Sequence, residues 1–137
     1  MNINKESLLA WCHQVIDDSR GDVPDSVLLL LGEAVDSAHD MRSLMRLAED
    51  LAKSCEGLTQ FEFDRLDKKL RGQYGYGLRF FLNKTMKKIK TIISRGNIAN
   101  DAEFRSVEQF IADNGNYFGE AVVESMNKML VAYQAGK

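Results

Sequence analysis

At 137 residues, 45% of them apolar and 28% charged, the chain is long enough to bury one core and too apolar to stay disordered. Its formal net charge of −2 counts against a dedicated nucleic-acid binder. Its longest aliphatic run, Val27–Leu31, is far too short to span a bilayer, so no membrane partner is expected.

A single proline, set among many Leu, Ala, Lys, Glu and Met residues, favours long helices over strands and turns. The start MNINKESLLAWCHQVIDD has no basic segment followed by an apolar stretch, the pattern of a signal peptide. The two cysteines, Cys12 and Cys55, fit reduced, buried thiols, and the expected location is the cytoplasm.

Apolar residues recur at helical spacing along the chain. Leu8, Cys12, Val15 and Ile16 line the first helix, which Asp17, Asp18 and Gly21 bring to a close. Pro24 suits the first turn of the next segment. There Val27, Leu31, Ala34, Ala38, Met41, Met45, Ala48 and Ala52 form a heptad-like stripe, able to pack internally or against a second copy. The polar DSAHD at 36–40 would tolerate a break in it. Thr59 with Glu62 has capping-box spacing and Leu58 with Phe63 hydrophobic-staple spacing, opening a helix that buries Phe63, Leu66 and Leu70.

After the glycine stretch, Leu78, Leu82, Thr85, Ile89, Ile92 and Ile93 predict one helix from about 78 to 95, ending at Gly96. Asn100 to Glu103 is a second cap, ahead of Phe104, Val107 and Ile111. Phe118, Val122, Met129 and Tyr133 carry the last helix. The expectation is an all-α fold: one domain over residues 1–137, an antiparallel bundle of about six helices. LGEAV at 31–35 and FGEAV at 118–122 echo each other, as glycines placed where helices touch would do.

The charge is segregated. Residues 1–64 hold 5 basic and 13 acidic side chains, residues 65–96 hold 10 basic and only Asp67, and residues 97–137 hold 3 basic and 6 acidic. On the expected 78–95 helix, Lys84, Lys87, Lys88 and Arg95 fall on one side as a basic stripe opposite the aliphatic residues. Such a stripe faces an acidic protein partner, phosphates or an anionic lipid surface, unless it is only a solvated face. Lipid ranks last, since no bulky aromatic residues adjoin the lysines as anchors.

The stretch KLRGQYGYGLRFFLNKTMKKIK, residues 69–90, raises the question of a phosphate loop. Its order, G-x-x-G-x-G with no preceding strand and no Lys-Ser/Thr pair, does not fit one, and an interhelical turn is the simpler account. Tyr74 and Tyr76 are expected to be exposed on that turn, beside Arg79, as contact residues.

Residues for chemistry are sparse. His39 would share a helical neighbourhood with Glu33, Asp36 and Asp40 if the helix ran unbroken, but there is one Asp-x-x-His and no second copy, so no metal site is expected. Cys12 and His13 are adjacent and diverge by about 100° on a helix, which argues against a catalytic dyad. Neither a catalytic constellation nor a cofactor motif is recognisable, and Trp11 is expected at the edge of the core.

The segment MKKIKTIISRGNIANDAEFRSVEQFIADNG, residues 86–115, resembles a pattern found in small bacterial all-helical proteins of unknown function, some of them immunity partners of toxins. Arg95, Gly96, Ile98, Glu103 and Phe104 are the matching positions. The likeness implies a helical, non-catalytic interaction protein and transfers no site residues. The sequence therefore points to a protein that is not an enzyme and needs no cofactor. It would present Tyr74, Tyr76, Arg79, Lys84, Lys87, Lys88 and Arg95 to a protein partner, with nucleic acid as the alternative.

Overall fold

Local signals set the helix ends. The Asn4 side chain accepts from the Ser7 N–H at 2.8 Å while the Ser7 hydroxyl accepts from the Asn4 N–H at 3.1 Å, a reciprocal cap that starts α1 (Lys5–Asp18). Pro24 sits immediately before α2 (Asp25–Ser37), one position ahead of the first turn. Asp40 caps α3 (Met41–Ser54) by accepting from the Ser43 N–H at 2.7 Å. A 3-10 turn at Cys55–Gly57 follows, and Thr59 then caps α4 (Gln60–Tyr74) through the Glu62 N–H. Four more helices complete the chain: α5 (Leu78–Leu82), α6 (Lys87–Arg95), α7 (Asp101–Asn114) and α8 (Glu120–Ala135).

The computed structural model describes residues 3–83, 86–114 and 119–136. Among these the fold is all-helical, with eight α-helices and no strand. The excess over six has two sources. At 36–40 the helix stops where Ala38 turns extended and Asp40 restarts it as a cap, so the 25–52 stripe is two helices. At Asn83, φ −77° and ψ 116° end α5 after five residues, so the expected 78–95 helix is also two. Thr85, Lys84 and Phe118 lie outside the described residues.

The first break also resets the helical phase. In α3 the expected stripe holds, with Met45, Ala48 and Ala52 buried beside Leu44 and Leu51. In α2 the buried pair is Leu28 and Val35, not Val27, which is exposed.

α3 is the central element, packing against α1, α2, α5 and α6, while α4 meets α1 and α5, and α7 meets α8. The core joins Leu8, Trp11, Cys12 and Val15 of α1 to Leu44 and Leu51 of α3, Phe80 and Phe81 of α5, Ile92 of α6 and Met126 of α8. Trp11 is fully buried at its centre rather than at its edge: its ring lies 4.6 Å from that of Phe81 and 6.0 Å from that of Tyr76. Cys12 and Cys55 are both free and buried, and burial pushes the Cys12 thiol up to about 12. No helix of the described residues is long and apolar enough to cross a membrane.

The two GEAV echoes have different jobs. Gly32 lies within α2, where a Cβ would touch the Ile16 Cδ1 at 3.7 Å, an ordinary contact. Gly119 precedes α8 at φ +126°, and a Cβ there would lie 1.9 Å from the Gly75 carbonyl oxygen.

Candidate binding groove

The turn at residues 75–79 is a buried crossing of chain. Gly75 ends α4 in the left-handed conformation at φ 84°, and its carbonyl accepts from the Ala121 N–H of α8 at 3.0 Å. Next, the Tyr76 carbonyl accepts from the Trp11 indole N–H at 3.1 Å, and the Tyr76 hydroxyl lies 3.1 Å from the Ser7 hydroxyl. Asp67, 2% exposed, closes the turn from the side: it accepts from the Arg79 N–H at 3.1 Å and from the Arg79 guanidinium at 2.9 Å. A Cβ on Gly77 would come within 2.4 Å of that carboxylate, so the residue there has room for a hydrogen atom only.

This placement corrects the expectation for Tyr76, which is 0% exposed and cannot meet a partner. Alternation around two glycines looks like a polar loop in sequence. The ring instead fills a hole lined by Trp11 and Phe81, and burial raises its hydroxyl pKa. Tyr74 is half-buried, its hydroxyl donating to the Ala10 carbonyl at 3.3 Å. Arg79 is half-exposed but engaged. Its guanidinium bonds Asp64 and Asp67 and lies 5.3 Å from the centre of the Phe63 ring.

Several other cations of the 65–96 block are likewise held inside the molecule's own charge pattern. Lys69 reaches Asp18 of α1 at 3.0 Å. Lys90, 12% exposed, donates to the Phe81 carbonyl at 2.8 Å and reaches Glu49 of α3 at 3.4 Å. Arg95 bonds Glu103 and the Asn97 side chain and carbonyl. Glu103 is drawn below the usual carboxylate range, first by the Ala99 N–H and then by Arg95.

A cationic groove of about 530 Å³ runs between α3 and α6. Lys87, Lys90 and Arg95 line it from α6 and Arg42 and Arg46 from α3, with Glu49 its one carboxylate and Met45 its apolar floor. Among the described residues, Arg42, Arg46 and Lys87 form no ion pair. Glu49 is already shared by Lys53 and Lys90.

Of the sequence-derived residues, the groove unites Lys87 and Arg95. Lys88 is exposed and does not line the groove, while Tyr74, Tyr76 and Arg79 belong to the crossing and Lys84 is outside the described residues. The described members of the basic stripe, Lys87, Lys88 and Arg95, all lie on α6, and they part company there: two line the groove and Lys88 does not.

Arg42 and Arg46 were invisible to a count by sequence block, since they lie within the acidic first half. Their signal was available all the same: two arginines four apart on the polar side of a strongly amphipathic α3.

No group of three or more His, Cys, Asp or Glu side chains among the described residues is arranged to hold a metal ion. The break at 38–40 separates the His39 neighbourhood: Asp40 becomes a helix cap and Asp36 instead reaches His13 at 3.1 Å. No protein-family model matches the chain, and no characterised protein or solved structure is significantly similar to it.

Proposed function

We propose that the protein is a non-catalytic interaction module whose α3–α6 groove docks an acidic segment of a protein partner. Neutralising a toxin is one instance of such a role, and an antiparallel arrangement of the helices belongs to the same reading. The observation that supports it best is the meeting of Arg42, Arg46 and Lys87, cations from two helices remote in sequence, in one groove with one carboxylate already engaged. Unpaired cations on fixed helical supports raise the local concentration of an acidic partner and steer its approach, and the Met45 floor gives its apolar side a place to rest.

The test is fluorescence anisotropy with an amphipathic leucine–glutamate peptide and with single- and double-stranded oligonucleotides, at about 50 and 200 mM salt, where charge-driven binding is sharply salt-dependent. Binding of the acidic peptide, weakened by salt and lost in the triple variant Arg42→Glu, Arg46→Glu, Lys87→Glu with its helical circular dichroism intact, is the expected result. Tighter binding of oligonucleotide than of peptide, lost in the same variant, would move the assignment to nucleic acid. Binding of neither would overturn the groove as a docking site.

A further inference from the structure

α2 is the most apolar of the long helices in composition, but most of its residues are exposed. Its sequence DSVLLLLGEAVDS carries four consecutive leucines, yet only Leu28 and Val35 are buried, while Leu29 and Leu30 are 66% and 69% exposed. Leu29 stands on the rim of a second groove, of about 580 Å³, between α1 and α2. Gly32 opens its floor: with no side chain at that point, Ile16 of α1 lies directly beneath. Asp25, Glu33 and Asp36 line the rim from α2. The two basic side chains there are engaged, Arg20 with Asp17 at 3.4 Å and the His13 ring with Asp36 at 3.1 Å.

Exposed leucines beside a half-open cleft mark a contact surface, and the charge around them selects the occupant. A second copy meeting this face through its own α2 would oppose Asp25, Glu33 and Asp36 to one another, which is repulsive. The cationic α3–α6 groove is lined by none of the exposed large hydrophobic residues (Leu9, Val27, Leu29, Leu30, Phe61, Val131), so it cannot supply the apolar counterpart that Leu29 needs. We infer that the α1–α2 groove receives a basic amphipathic helix of another protein, its apolar side against Leu29 and the Gly32 floor and its lysines or arginines against Glu33 and Asp25.

This surface is independent of the α3–α6 groove and opposite to it in charge. The helix would lie as an apolar ridge in a shallow trough with charged flanks, the usual manner of helix-in-groove recognition.

The experiment uses a labelled 18-residue amphipathic leucine–lysine peptide with the full chain, read by anisotropy and supported by sedimentation velocity. The expected result has three parts. Leu29→Gln, at an exposed position that leaves the core alone, weakens peptide binding about tenfold. Gly32→Leu, which fills the floor, blocks it, while Gly32→Ala is tolerated because its added Cβ meets Ile16 at an ordinary distance. Glu33→Gln weakens it at low salt but not at high salt, and the triple substitution in the α3–α6 groove leaves it unchanged.

Equal binding to parent and to Leu29→Gln would reduce the contact to unspecific charge attraction and overturn the inference. So would a concentration-dependent dimer that Leu29→Gln dissociates, because the occupant would then be a second copy. Absence of peptide binding at low salt would overturn it directly.

Discussion

The Gly75–Arg79 crossing and the α3–α6 groove both draw on the cationic stretch between residues 65 and 96, and they differ in what their polar groups face. At the crossing the polar groups turn to the protein itself: the Gly75 and Tyr76 carbonyls accept from Ala121 and Trp11, and the Arg79 backbone and guanidinium meet Asp67. In the groove, Arg42, Arg46 and Lys87 are exposed and form no salt bridge among the described residues. A buried polar group left unpaired costs about 1–3 kcal/mol, whereas an exposed one costs almost nothing. The crossing is thus under structural constraint, and the groove is open to contact. Local composition does not separate the two; burial does.

Substitutions sharpen that contrast. The largest effect is expected from Gly119→Ala. Its φ of +126° disfavours any side chain, and the new Cβ would collide with the Gly75 carbonyl that Ala121 binds. Strain of about 1–3 kcal/mol and the loss of a buried hydrogen bond worth about 1 kcal/mol together give roughly 2–4 kcal/mol. Urea unfolding should show the midpoint falling accordingly. A loss under about 0.5 kcal/mol, the range of an ordinary surface substitution, would mean that α8 does not cross here so closely.

Next comes Asp67→Ala. It leaves the Arg79 N–H and guanidinium without their buried acceptor, and the guanidinium partly rehydrates because its side chain is 39% exposed. About 2 kcal/mol is therefore expected, below the roughly 3–5 kcal/mol of a fully buried pair. The paired test is Lys87→Ala, which removes a cation from the same sequence block and should change stability by less than about 0.5 kcal/mol. Equal losses in the two variants would erase the distinction between crossing and groove.

Helices and most of their ends were legible because their causes are local. The Thr59 and Asn100 caps, Gly96 at the end of α6, and the buried faces of α1 and α3 all follow from spacing within a few residues. Tyr76 was not legible, since the hole it fills is made by Trp11 and Phe81, and nothing in YGYG announces them. The split at Asn83 escaped for a related reason. Leu78, Leu82, Ile89 and Ile92 keep helical spacing across it, and the chain bends there to bury Phe80 and Phe81 as well as the Ile89–Ile93 face. Arg42 and Arg46 join Lys87 only through the packing of α3 on α6.

The smallest effect concerns Glu103, where the basic helix meets α7. Its carboxylate accepts from the Ala99 N–H at 2.8 Å and from Arg95, and both hold its folded pKa below the ordinary value of 4.5. A depressed folded pKa means that the stabilisation is complete above the unfolded value and is lost as pH falls through the folded one. Glu103→Gln keeps an acceptor for Ala99 but gives up the charge. Its Tm should therefore lie slightly below the parent's at neutral pH, and the gap should narrow on acidification below about pH 4 and close once Glu103 is protonated. A gap that stayed constant through the acid range would show that Arg95 gains nothing from this carboxylate. The guanidinium would then count with Arg42, Arg46 and Lys87 as a cation free to meet a partner.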